Sequence, residues 1–381
     1  MRIAAQHGGA AGRRQLDRWP QWRVADRPPM RNTRSMAEAS ENPAACPRPL
    51  PPAPDRVVVS GAPVEGTWAG AVREAGFGGL SGEYAHGFLG RRLVEKRWQA
   101  LFLATPQVMI SLAIVDAGYL SSGILSVFDR GARRMLIDSN PVLPPLFAWV
   151  AEEPNDGMRA VLTGPRIGAR IERSGGRILA TARWGNAAVD LALDARRGPP
   201  AMTAVSRLGP GRFNFTQKLV GLAAEGEIRI GNARFEARGE PAGLDFTHGY
   251  LARDTSWRWA FASARQAGRL IGFNLSEGFM DAGAGENALW IDGAPCSVGP
   301  VRFDFEPSAP LAPWRIRSAD GSLDLTFQPE GYRAQSLDLK LVISKYLQPF
   351  GVFSGHVTNT SGERLELDSL PGVTEDHTAR W

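Results

Sequence analysis

The chain reads as an all-β protein on three observations. Its 381 residues include 43 Gly and 28 Pro, and almost no window of about 12 residues offers a clean apolar helical stripe. From Val57 onward the two-residue alternation of half-buried strands recurs, separated by turn signals. Together these exclude α/β and all-α architecture. So long an antiparallel run must close or pair its edges, as one very large barrel or as two consecutive barrels or sandwiches. We expect two, over 55–200 and 201–381, joined near Arg196-Arg197-Gly198-Pro199-Pro200.

Residues 1–54 come first and are expected to be a disordered extension, rich in Arg, Pro and Ala and ending in Pro47-Arg48-Pro49-Leu50-Pro51-Pro52-Ala53-Pro54. Met30 and Met36 lie inside it, and Met36-Ala37-Glu38 makes an alternative translation start. The segment holds nine Arg against Asp17, Asp26, Glu38 and Glu41, which accounts for the whole formal charge of +5. Residues 55–381 therefore balance 35 basic against 35 acidic groups. A neutral body argues against nucleic acid as a partner.

The first regular strand opens at Glu95-Lys96-Arg97-Trp98, whose charges suit an edge that deters pairing. The longest uncharged run, Ala100 to Val115, is interrupted by Thr105-Pro106-Gln107. It falls short of the roughly 18 to 20 apolar residues that cross a bilayer, so it reads as paired strands, and membrane contact would be transient at most. Gly185–Asp194 alternates, with Val189, Leu191 and Leu193 on one side. Further strands are Trp257–Phe261, Arg302–Phe305, Leu323–Phe327 and Leu337–Leu341. Turns are expected at Ser174-Gly175-Gly176, Glu225-Gly226, Asp292-Gly293, Asp320-Gly321 and Ser361-Gly362. His86 falls in a Gly-rich loop and His356 on a strand face, both structural positions.

Cys46 and Cys296 are too few for a disulfide framework, and no N-terminal stretch resembles a secretory signal, which fits a reducing cytoplasm. Only four of the 44 basic residues are Lys, which we read as codon bias. No phosphate-binding Gly loop, dinucleotide fingerprint, His-Glu-x-x-His helix or Gly-x-Ser-x-Gly elbow occurs. Nucleotide cofactors are therefore not expected.

Two clusters carry candidate chemistry. In the first, Asp245-Phe246-Thr247-His248 precedes Trp257-Arg258-Trp259, then Asn274, Glu277, Glu286-Asn287 and Trp290. On a strand, Trp257, Trp259 and Phe261 share one face and Arg258 takes the other. An inward Arg258 needs a carboxylate, which Glu277 or Glu286 could supply. The plainer reading makes the Trp residues core, His248 a hydrogen-bonded turn residue and Arg258 part of a structural ion pair. The second cluster, Glu375-Asp376-His377, sets a carboxylate beside an imidazole for acid/base work, unless a mobile chain end leaves it solvated. Nothing in the spacing of His248, Glu375, Asp376 and His377 selects a metal, and no metal site is expected.

These strings, with Lys96-Arg97-Trp98, Asp116-Ala-Gly-Tyr119, Gly272-Phe-Asn-Leu275, Pro313-Trp314, Gln348-Pro-Phe-Gly351 and the terminal Glu375–Trp381, resemble domain of unknown function 2804, a bacterial and fungal family, over about residues 60–381. More distantly the family is similar to the lipocalin-related double-barrel group of carotenoid hydratases, tocopherol cyclase and decalin-forming cyclases. The resemblance implies two consecutive antiparallel lipocalin-like β-barrels and a pocket for an apolar molecule. Fold alone does not assign a reaction.

The expectation is binding of a hydrophobic small molecule, a lipid, polyene or isoprenoid, in a Trp-lined pocket, with cofactor-independent hydration, cyclisation or isomerisation. Catalytic candidates are His248, Asp245, Glu277, Asp376 and His377; ligand-binding candidates are Trp257, Arg258, Trp259, Asn274, Asn287 and Trp290. A non-catalytic lipid carrier or sensor, or a protein-interaction module, are the alternatives.

Overall fold

The structure, a computed structural model, describes residues 47–281, 283–338, 340 and 342–381. The expected disorder of 1–46, with Cys46 and the alternative starts, lies outside the described residues. The described chain forms two curled antiparallel sheets of 14 and 10 strands, with a two-stranded ribbon and one α-helix, Phe88–Val94. The all-β double-barrel expectation is met.

In the first sheet the path runs from Ala148–Val150 through the hairpins of 159–194 to Arg212–Ile230 and Ala233–Tyr250, then through Glu95–Ala104, Val108–Asp116 and Ser121–Asp129 to Arg134–Ser139. It curls until its edge meets the far side, where the Ala148 amide donates to Ser121 Oγ at 2.8 Å. The second sheet is centred on Arg269–Glu277, Asp254–Gln266, Arg364–Arg380 and Ile343–Thr358. Its curl is stitched by Glu277, which accepts from Arg302 Nη1 at 2.9 Å and from the Phe303 amide at 3.2 Å. An otherwise unpaired edge N–H thus finds an acceptor.

The sheets do not part at the expected join near 200. Met202–Gly209, Arg212–Ile230 and Ala233–Tyr250 all belong to the first sheet, and the change falls at 251–253. Strands of 19 and 18 residues explain this, because each is long enough to pair along its whole length and still present one face to the second sheet.

Each curl encloses its own core, the first including Leu112, Phe213 and Phe246, the second Phe273, Phe327 and Phe353. A third core joins them, with Met109, Phe128, Trp259, Phe261 and Trp290 packed in the seam. Two glycines allow that approach: a Cβ on Gly243 would stand 2.1 Å from the Phe261 ring, and one on Gly331 2.3 Å from the Phe128 ring.

Several local expectations change. Pro47–Pro54 is ordered: Arg48 and Pro49 pair with Ser297 and Cys296 of the second sheet, while the Ala53 amide bonds the Ala69 carbonyl beside the first. Glu95–Ala104 is interior, paired on both sides, so its charges serve packing contacts and do not guard an edge. Glu225-Gly226 is a bulge in a continuous strand, with Gly226 at φ 137°. The 337–341 strand ends at Asp338, since Lys340 takes φ 67°; Leu339 and Leu341 lie outside the described residues. By contrast, Ser174-Gly175-Gly176 is a tight hairpin with both glycines at positive φ, and Val189, Leu191 and Leu193 all point inward.

Candidate functional site

The seam between the sheets holds a cavity of about 120 Å³. Strand alternation builds its walls. From Glu95–Ala104 come Trp98, Ala100 and Phe102; from Val108–Asp116 come Ser111, Ala113 and Val115. The second sheet supplies Trp257 and Trp259, then Tyr346, then Glu375 and His377, and Trp381 and Phe279 complete the lining. Trp98 and Trp257 stack at 6.4 Å and 16° across the seam. Aromatic faces of this kind attract a positive charge passing between them.

Two polar clusters break the apolar surface. On the first sheet, Lys218 Nζ contacts Asp245 Oδ1 at 2.5 Å, and Glu286, from the connection leading into Ala288–Ile291 of the second sheet, brings Oε2 to 3.3 Å; all three are buried. Burial works against the Lys218 charge, but the two carboxylates outweigh it and hold the ammonium above its ordinary pKa. Burial and the neighbouring Asp245 push Glu286 up. Asn274 positions this cluster: its amide donates to the Glu286 carbonyl at 2.8 Å and its oxygen accepts from Trp259 Nε1 at 2.8 Å.

Facing it, Glu375 accepts from Trp257 Nε1 at 2.8 Å, Tyr346 Oη at 2.7 Å and Gln348 Nε2 at 3.2 Å. Burial pushes its carboxyl up to about 7, although these hydrogen bonds oppose the shift. Near neutral pH it can both give and take a proton. His377 is pushed down to about 3 by burial, with the Arg333 charge adding to it, so the imidazole is neutral beside Ser344 Oγ at 2.9 Å. Arg333 itself donates to Asp138 Oδ1 at 2.8 Å and lies 4.9 Å from the Tyr346 ring.

Of the sequence candidates, the cavity gathers Asp245, Trp257, Trp259 and His377. Asp376 and Arg258 lie on the opposite faces of their strands, in register with each other and 3.4 Å apart, so Asp376 supplies the carboxylate expected from Glu277 or Glu286. Glu277 closes the second sheet, as described. Asn287 accepts from the Ser276 amide at 2.6 Å, and Trp290 is core, donating to the Pro200 carbonyl at 3.0 Å. His248 lies inside the first curl, away from the cavity. It stacks on Phe77 at 3.6 Å, with Nε2 2.7 Å from Glu95 Oε1 and Nδ1 3.2 Å from the Glu152 carbonyl. Alternation separates it from Asp245, three positions earlier on the same strand.

Lys218 and Tyr346 are not among the sequence candidates, and Glu286 and Glu375 stand there only as a partner for Arg258 and as a member of the 375–377 cluster. Taking 375–377 as a strand would have put Glu375 and His377 together and Asp376 opposite, and Lys218 is one of only four Lys in the chain. Among the described residues no three His, Cys, Asp or Glu side chains converge as a metal-ligand set, and no helix is long and apolar enough to cross a membrane.

Fold and site define a class: two curled antiparallel sheets with an aromatic cavity and buried carboxyl groups at their seam. The model of the family described as Domain of unknown function (DUF2804) matches residues 70–381, and the chain belongs to that family. No curated protein matches it in sequence. Among solved structures it is similar to an AttH protein (NE1406) of Nitrosomonas europaea, with 13% identity, 75% of this chain and 92% of that one covered, and a TM-score of 0.42. It is also similar to CghA crystallised with Sch210972, with 10% identity, 75% and 88% coverage and a TM-score of 0.48.

Proposed function

We propose that the seam cavity binds a hydrophobic small molecule, a lipid, polyene or isoprenoid, and that Glu375 acts on it as a general acid/base in cofactor-independent hydration, cyclisation or isomerisation. One observation carries the reading: a carboxyl group brought to about 7 by burial faces a cavity walled by Trp98, Trp257 and Trp259. Protonating a carbon–carbon double bond creates a cation, which the indole faces stabilise. Its collapse returns a proton to a carboxylate, or adds water and then releases one. Asp245, paired to Lys218 on the opposite wall, is the second carboxyl group available.

The carrier reading is favoured by a different observation. Both clusters already have internal partners, Lys218 with two carboxylates and Glu375 with three donors. The test is native mass spectrometry after incubation with a panel of polyenes and isoprenoids, using wild type and Glu375→Gln. An altered ligand released by wild type and retained unaltered by Glu375→Gln supports catalysis. Equal, unaltered binding by both makes the protein a carrier, and binding by neither removes both readings.

A further inference from the structure

We infer that the protein docks on a lipid bilayer through an apolar rim beside the cavity, made by Phe88, Leu89, Leu93, Leu146, Phe147 and Trp149. The inference rests on the hydrophobic-ligand reading and says where such a ligand comes from.

Among the described residues, seven of the ten exposed large hydrophobics lie in just two segments, the helix Phe88–Val94 and residues 142–149. Both flank one turn. Arg92 Nη2 donates to the Gly118 carbonyl at 2.8 Å, while Ser121 and Ser122, just beyond it, pair with Leu143 and Val142. Phe88 and Leu89 are each 75% exposed and Leu146 81%. The helix buries none of its residues, so it is not held by a core on its outer face.

Leu146 adds a second, independent observation. Its φ is 74°, a left-handed conformation that costs a non-glycine residue energy, and the result is a leucine aimed at solvent in Pro144-Pro145-Leu146-Phe147. Clustered apolar exposure of this kind marks a contact surface.

Composition and position choose the occupant. Charge does not: Arg91 is paired with Glu95 and Glu152, and Arg92 donates to the Gly118 carbonyl. Mixed Phe, Trp and Leu is the composition of interfacial membrane segments. The rim also adjoins the cavity: the Leu93 carbonyl accepts from Lys96 Nζ at 2.7 Å, and that ammonium lies 5.9 Å from the ring of Trp381, a cavity wall. A water-insoluble molecule leaving the bilayer there has a short path into the seam.

The test is flotation of the full chain with phosphatidylcholine vesicles, with and without phosphatidylglycerol, for wild type and the triple variant Phe88→Glu, Leu89→Glu, Leu93→Glu. The same samples are assayed for fluorescence of the polyene fatty acid parinaric acid added without vesicles. The expected result is flotation of wild type on both kinds of vesicle, and a loss of tenfold or more in the variant with parinarate binding unchanged. Leu146→Asn with Phe147→Ser, which suits the left-handed backbone, should give the same loss. Wild type that stays with the buffer, or a triple variant that floats equally, overturns the inference. So does a wild-type dimer in sedimentation velocity that the variant disperses, because the occupant is then a second copy. Flotation without parinarate binding leaves docking standing and removes the ligand reading; the reverse pattern removes docking alone.

Discussion

Trp257 reaches Glu375 diagonally across two paired strands: in register it stands opposite His377, yet its indole N–H donates to Glu375 Oε1 at 2.8 Å. This hydrogen bond is one of three holding a carboxyl group at the meeting of two sheets. Trp257→Phe keeps a ring in the wall and removes the donor. The Glu375 carboxyl should then titrate still higher than about 7, with a loss of about 1–2 kcal/mol at alkaline pH, where the charged form misses its partner. Denaturant unfolding at two pH values reads both; an unchanged titration would show that the indole does not act on Glu375.

Stability should fall as pH rises from about 4.5 to about 7. Burial raises the folded-state pKa of Glu375 from 4.5 to about 7, so within that window the folded protein keeps a proton that the unfolded chain has lost. The stabilisation is fully present below 4.5 and is lost as pH passes 7, an effect of order 3 kcal/mol. Glu375→Gln, neutral at every pH, should flatten that part of the profile. The comparison is urea unfolding of both proteins at intervals across the window, and parallel profiles would rule the assignment out.

Period-two alternation made the strands legible, as at Val189, Leu191 and Leu193, and paired glycines marked hairpins such as Gly175-Gly176. Other features depended on partners distant in sequence. Glu225-Gly226 resembles a turn until its neighbour strand demands a bulge, and Glu95-Lys96-Arg97 resembles an edge until Asp116 and His248 arrive to pair with it. The site was half legible for the same reason. Trp257, Trp259, Asp245 and His377 stood out by residue type, whereas the roles of Lys218 and Glu375 exist only once two sheets are pressed together. His248 stood out for its chemistry, yet its face of the strand points into the first core.

Lys218 is the keystone of its cluster. Lys218→Met leaves Asp245 and Glu286 buried beside each other without a cation, and should cost about 3–5 kcal/mol. Adding Asp245→Asn removes the repulsion and should restore part of that loss. A double-mutant cycle by thermal unfolding decides it: strictly additive losses would mean that the pair does not interact.

His248→Ala should unfold more easily yet bind ligand normally. Glu95 is taken down to about 2 because hydrogen bonds from His248 and Arg91 outweigh the burial that would push it up. Removing the imidazole strips one of those partners and the stacked Phe77 contact, for a cost of about 3 kcal/mol. Since the ring lies on the far side of the strand from the cavity, parinarate affinity should not change. A variant of unaltered stability that has lost binding would place His248 in the site after all.

Filling the cavity separates binding from folding. Ala113 lines the wall among Trp98, Val115 and Trp257, and the space of about 120 Å³ takes the extra atoms of a Phe or Leu side chain without displacing either core. Ala113→Phe should therefore reduce ligand affinity by tenfold or more while changing unfolding free energy by less than about 1.5 kcal/mol. Ala100→Leu, from the neighbouring strand, should act on the same space, so combining the two should add little further loss of binding. Titration with parinarate against denaturant unfolding of the single and double variants supplies both readings. Full affinity in Ala113→Phe, at unchanged stability, would mean that the ligand is held elsewhere.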